Sequence, residues 1–185
     1  EETPELHLSN EHVVRLTPVD AQHVSMATLI RETLRMRPDR VVVGEIRFPE
    51  EAKAFMESVL AGQGKGTYAT FHGHSSFEAL ARLKQFGLLE SDLGWVNLIL
   101  VQRRWSERIS PTEMIDRRVI CEIVEMVKNK NGEWNILPLF EWSPSAHAWM
   151  KKNESTLIRE RFAWSFPHQS FNTHIQRLTK EFSEK

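Results

Sequence analysis

Arg40-Val41-Val42-Val43-Gly44-Glu45 is the stretch on which the reading of this chain turns. Three β-branched residues in a row, bounded by a charged residue and a glycine, have the composition of a strand buried on both faces of a parallel sheet. The flanks agree with that reading. Upstream, Ser25 can cap a helix in which Met26, Leu29, Ile30, Thr33 and Leu34 share one face, with Arg31 and Arg35 opposite and Pro38 as the stop. Downstream, Pro49 starts a helix whose apolar stripe is Ala52, Phe55, Met56, Val59 and Leu60, closed by Gly62. Thr67 to Phe71 reads as a second strand, and Ser75 or Ser76 caps a helix carrying Phe77, Leu80, Leu83 and Phe86 before Gly87. Strands alternating with helices predict an open α/β sheet.

The pattern changes after Trp95. Val96 to Arg104, Arg118 to Val127 and Glu133 to Trp142 are strand-like, with a tight-turn signal at Asn131-Gly132. Pro138 inside the last run points to an edge strand. From Glu154 the chain turns helical, and a stripe of Phe171, Ile175, Leu178 and Phe182 follows a break at Pro167. There is no internal repeat and no low-complexity tract.

With 185 residues and 41% hydrophobic content the chain can bury a core of its own. Lys and Arg total 24 against 25 Asp and Glu, so no net charge draws it to nucleic acid or an anionic surface, and no direct nucleic-acid partner is expected. The single cysteine, Cys121, excludes an internal disulfide and a multi-cysteine zinc site. No apolar run approaches the ~20 residues of a membrane span, so a soluble chain is expected. It opens on Glu1-Glu2-Thr3-Pro4-Glu5-Leu6 without an initiator methionine, and the start is expected to be a break within a longer protein.

Glu45 ends the first strand, which puts its carboxylate at the carboxyl edge of a parallel sheet, where open α/β folds bind ligands. In a nucleotide hydrolase a carboxylate there polarises the attacking water or organises magnesium. His72 lies just past the second strand, beside Thr70 and His74, and shares that edge if the two strands are neighbours. It could bond a γ-phosphate or the carboxylate of Glu45. A loop histidine without a role and a His-x-His metal pair with His74 are the alternatives, the second being an incomplete ligand set. Arg31, Arg35, Arg37, Arg40 and Arg47 read either as a solvated helix face or as guanidinium groups converging on a polyphosphate. Gly62-Gln63-Gly64-Lys65-Gly66-Thr67 departs from the G-x-x-x-x-G-K-[ST] phosphate loop, since Val59 stands at the first glycine and Gly66 follows Lys65. It also runs from helix into strand, the reverse of the order that aims N–H groups at phosphate, and it is read as a turn.

Leu34 to Arg47 resembles the atypical Walker B segment of the type II/IV secretion ATPase superfamily, in which Gly replaces the usual Asp and the following Glu is catalytic. Gly66 to Ser75 resembles the same family's His box, and Glu1-Glu2-Thr3-Pro4-Glu5-Leu6 with Val13-Val14-Arg15-Leu16 resembles the end of its Asp box. The likeness runs from residue 1 to about Trp142. It implies Glu45, Glu1, Glu2 and His72 as catalytic residues and Arg31 and Arg35 as nucleotide-approaching arginines, across a subunit boundary in one arrangement, with Arg15, Arg37 and Arg47 as weaker carry-overs. The bare His box, the strand-rich segment after Trp95 and the missing tetra-cysteine module are most similar to the archaeal and tight-adherence pilus branch.

What the resemblance implies is a RecA-like P-loop NTPase core without its Walker A loop: a mainly parallel sheet flanked by helices, an antiparallel strand extension, and a small helical appendage. The expected division is residues 1–145 for the C-terminal part of the ATPase domain and 146–185 for the appendage. The implied cofactors are ATP and Mg2+ in the full-length protein, with no metal site inside this chain. The implied assembly is a homo-hexamer on an inner-membrane platform protein of a secretion, pilus or archaellum system, in the cytoplasm at the membrane surface. Without its phosphate loop the chain alone is expected to be inactive. The alternative is a non-catalytic module derived from such an ATPase that binds neighbouring subunits or the platform.

Overall fold

The computed structural model of the chain describes residues 1–62 and 66–183, without the side chains at positions 20 and 181–183. Helix α1 (Met26–Met36) begins where Ser25 Oγ accepts the Thr28 N–H at 3.2 Å, and ends at Arg37 in the left-handed region, φ 51°, ahead of Pro38. It buries Met26, Ala27 and Ile30 against α2 (Pro49–Leu60). Strand β1 (Arg40–Val43) pairs in parallel with β2 (Gly66–Ala69), Val41 opposite Thr67 and Val43 opposite Ala69.

β1 is buried on one face. Val41 and Val43 are buried while Val42 is 39% exposed, because among the described residues the helices pack on a single side of this two-stranded sheet. The expectation of two buried faces does not hold for this chain. Helix α2 is the reverse case: it lies between α1 and the sheet, so Ala54 and Ser58 are buried along with Ala52 and Met56, while Leu60 at the far end is 48% exposed. Of the predicted Gly62 to Thr67 turn, Gln63, Gly64 and Lys65 lie outside the described residues; Gly62 itself takes φ 62°.

Helix α3 (Ser76–Gln85) is capped by Ser75 and is followed by Gly87 at φ 88°. Its Leu80 is buried, whereas Phe77, predicted for the same face, is 74% exposed. A short helix α4 (Glu90–Leu93), too brief to carry a periodicity, buries Leu93 completely, worth roughly 1.5–3 kcal/mol. Gly94 follows because the Trp134 ring occupies the space where a side chain would stand.

The rest of the chain forms a four-stranded antiparallel sheet in the order β3 (Leu98–Arg108), β4 (Met114–Lys128), β5 (Trp134–Ser143), β6 (Ala148–Lys151). Asn129 Oδ1 accepts the N–H groups of Asn131 and Glu133 in the β4–β5 turn, with Gly132 at φ 84°. β5 is an inner strand over Phe140–Ser143, where β6 pairs with it, while at Pro138 it pairs with β4 alone. Pro138 is accommodated by a register shift opposite Ile123 and Val124, so its missing N–H falls at a bulge. β6 carries this sheet beyond residue 145 to Lys151, and the helical end proper starts with α5 (Thr156–Ser165), followed by α6 (Phe171–Ser183). Leu88, Leu93, Val96, Ile99 and Met126 join the base of the antiparallel sheet to the core around β1 and α2. The architecture is therefore mixed α/β, a parallel pair and an antiparallel sheet on a shared core. No helix among the described residues is long and apolar enough to cross a membrane.

Candidate functional site

The carboxyl ends of β1 and β2 meet through two bonds. Ile46 N–H donates to the Thr70 carbonyl at 3.0 Å, and the Thr70 hydroxyl donates to the Gly44 carbonyl. These bonds carry Glu45 and His72, one after each strand, to the same point. His72 Nε2 lies 2.6 Å from Glu45 Oε1. On the other oxygen, Arg47 Nε donates to Oε2 at 2.6 Å, and the same guanidinium donates to Glu2. The N-terminal segment closes over the strand end. A side chain at position 44 would come within 3.0 Å of Glu1 Cγ, so glycine is what lets Glu1 pack there. The Glu1 carboxylate faces its own turn, accepting the Glu5 and Leu6 N–H groups at 3.1 and 3.0 Å.

The two oxygens of Glu45 are treated differently. The Arg47 hydrogen bond and charge, helped by the charge of His72, hold the carboxyl below the usual glutamate range although partial burial acts to raise it. Its partner's guanidinium is held correspondingly high, by the hydrogen bond to Glu45 first and then the charge of Glu2. Oε1, by contrast, is out of contact with solvent, and its one close neighbour among the described residues is the His72 ring, whose contact falls short of a fully aligned hydrogen bond. The His72 side chain is 83% exposed against 22% for Glu45, so an exposed imidazole covers a more sheltered carboxylate oxygen.

The arginines do not converge on this point. Arg31 Nε pairs with Glu57 at 2.8 Å, in the last turns of α2 and roughly 12 Å along that helix from its start beside Arg47. Arg35 stands 3.8 Å from Glu32 and is largely exposed. Arg40 begins β1, about 16 Å of strand from Glu45, and Arg37 precedes it on the same side. Arg15 is exposed in the N-terminal segment. Only Arg47 of the predicted arginines touches the Glu45 carboxylate in this chain. The physical reason is direction: α1 leads into the start of β1, so their connection lies at the opposite end of the strand from Glu45. Among the described residues, no group of three or more His, Cys, Asp or Glu side chains converges to hold a metal ion.

Three supporting residues escape a reading of sequence. Glu51, at the third position of α2, accepts the N–H groups of Arg47 at 2.7 Å and Phe48 at 3.1 Å and so aims the Arg47 side chain. A glutamate three residues into a helix is a legible signal, masked here because Phe48 occupies the capping position. Thr70 locks the two strand ends. Arg82 of α3 donates to the His72 carbonyl and stacks over Phe71, 5.0 Å from its ring centre, a tie with no local sequence signal.

Comparison with known proteins places these residues in a family. Residues 1–138 match the family described as "Type II/IV secretion system protein". A "Probable conjugal transfer protein TrbB" of Sinorhizobium fredii is 38% identical over 140 residues, covering 74% of this chain and 40% of that protein. "Protein VirB11" of Agrobacterium fabrum is 35% identical over 100 residues, 49% of this chain and 26% of its own length. The ATPase DotB of Legionella pneumophila, solved by X-ray, covers 71% of this chain and 31% of its own, with 19% identity and a TM-score of 0.39. The chain thus spans about two-fifths or less of the length of these relatives.

Proposed function

We propose that this chain, which belongs to the type II/IV secretion system protein family, supplies the water-activating carboxylate and the nucleotide-sensing histidine of an ATP-hydrolysing motor. The observation that carries the reading is the asymmetry of Glu45: one oxygen is pinned by Arg47, and the other, among the described residues, is met only by an exposed imidazole. An ionised carboxylate whose free oxygen is reached by moving one side chain suits a group that aligns water for attack. When His72 turns away, Oε1 can accept a proton from water, and the same ring nitrogen becomes free for a phosphate oxygen.

The residues present fit a nucleotide beside them. Arg47 would hold phosphate, and Glu45 with Glu2 would face the magnesium ion and its water. Bound ATP and magnesium supply a phosphoryl group transferable to water. With no cage of three ligands among the described residues, magnesium would depend mainly on phosphate oxygens and on groups elsewhere in the parent protein. Glu1 has a narrower role than Glu2: its carboxylate holds the turn that seats the segment on Gly44.

The sequence contains no G-x-x-x-x-G-K-[ST] loop, so we place the phosphate grip in another part of a longer parent and read this chain as the C-terminal portion of its ATPase domain. Arg31 and Arg35, turned away from Glu45, suit a nucleotide held by a neighbouring subunit of a hexamer. The parent would work in the cytoplasm on the platform protein of a secretion, conjugation, pilus or archaellum machine. The missing loop also favours a second reading, in which the chain serves as a non-catalytic module that binds subunits or platform. In the full-length parent Glu45→Gln should stop turnover while ATP still binds; an unaffected rate sinks the assignment. The isolated chain should not hydrolyse ATP, and steady turnover lost on Glu45→Gln would show that it does.

A further inference from the structure

The loop that carries His72 is fastened to α3 at its far side. Arg82 holds the His72 carbonyl, Glu78 Oε2 accepts the His74 N–H at 2.9 Å, and Phe71 packs edge-on against Phe86 with ring centres 5.9 Å apart. The position of His72 over Glu45 is therefore the position of α3. The N-terminus of α3 is in turn gripped from another element. Glu122, in the middle of β4, accepts both the backbone N–H and the hydroxyl of Ser76 through Oε2, at 3.1 and 2.9 Å, while its Oε1 takes Arg103 of β3 at 3.0 Å. Ser76 is 5% exposed and the Glu122 side chain 20%. A carboxylate at a helix N-terminus meets both the unpaired N–H groups and the positive end of the helix dipole. Glu122 cannot drift, because its backbone is paired with Val101 on one side and Glu141 on the other.

We propose that Glu122 is a positioning residue for His72, joining the antiparallel sheet to the Glu45 site through the first turn of α3. A shift of the sheet relative to β1 moves Ser76, and with it the ring that covers Glu45 Oε1. A load on the sheet and the occupancy of the site are then linked by one carboxylate. The proposal rests on the reading of His72 as the cover of Glu45, and its test reads the histidine directly, without nucleotide or turnover.

β4 supplies its own control. Glu125, three residues on, is fully buried and caps the other helix, α5, through Ser155, Thr156 and Leu157. In the full 185-residue chain, the imidazole resonances of His72, assigned with His72→Gln, are compared by long-range proton–nitrogen NMR. Glu122→Ala should shift them most, and Glu122→Gln less, because its carbonyl oxygen still accepts from Ser76. Ser76→Ala, which removes only the hydroxyl bond, should also shift them less. Glu125→Gln should lower the unfolding midpoint yet leave them in place. His72 resonances unmoved in a folded Glu122→Ala chain, or moved as far by Glu125→Gln, would overturn the proposal. If Glu122→Ala does not fold, Ser76→Ala decides in the same terms. Turnover persisting in the Glu45→Gln parent would sink the ATPase reading and leave this result standing.

Discussion

Glu45 and Glu125 are the same residue type in two strand contexts, and the fold treats them in opposite ways. Glu125 is fully buried: it accepts the Thr156 hydroxyl, the Ser155 hydroxyl and the Leu157 N–H at 3.1 Å, all from the start of α5. Burial acts to raise its pKa, and the hydroxyl and N–H donors outweigh it and leave the group below the usual carboxylate range. Glu45 keeps one oxygen bonded to Arg47 and leaves the other without an aligned donor. A buried carboxylate bonded through both oxygens belongs to the structure; one bonded mainly through a single oxygen is what the proposed role of Glu45 calls for.

That contrast can be broken in order of expected effect. Glu45→Gln in the full-length parent should lower turnover by about 10²- to 10⁴-fold, measured by phosphate release, while leaving the urea midpoint of this chain nearly unchanged. A large loss of stability instead would make Glu45 a structural group like Glu125. Glu125→Ala should do the converse and reduce the unfolding free energy by about 3 kcal/mol in urea melts, since it strands two hydroxyls and an N–H. Ser155→Ala, which removes the α5 cap and one of the hydroxyls that answer Glu125, should cost about 1–2 kcal/mol; a loss as large as that of Glu125→Ala would mean the Ser155 hydroxyl carries the whole latch.

The smallest effect is in pH. Both carboxyls sit below the ordinary glutamate value of 4.5 when folded, so the unfolded chain binds their protons first as pH falls. Their contribution is complete above pH 4.5 and drains away below it, through the lowered folded values. Acid unfolding followed by circular dichroism should be less steep in Glu125→Gln, and changed less by Glu45→Gln, whose carboxylate is the more exposed.

Much of the fold is legible because it is written in short range. Ser25 and Ser75 cap the helices they were expected to cap, the valine run is a strand, and Asn131-Gly132 turns a hairpin. The misreadings have a common cause in what packs against what. Val42 is half exposed because helices cover one side of β1, and β5 becomes an inner strand past Pro138 because β6 pairs with Phe140–Ser143. β6, with all four residues exposed, has no apolar alternation to announce it.

The sequence by itself determined most of the elements, the family and the two residues, Glu45 and His72, that follow neighbouring strands. Periodicity, capping and motif spacing act over a few residues and survive without a partner. Only the tertiary structure decided that His72 covers one oxygen of Glu45 while Arg47 pins the other, that the five other predicted arginines lie away from both, and that Glu122 grips Ser76 from 46 residues away. Such contacts depend on the relative placement of whole elements, which the shared core sets and no local pattern records.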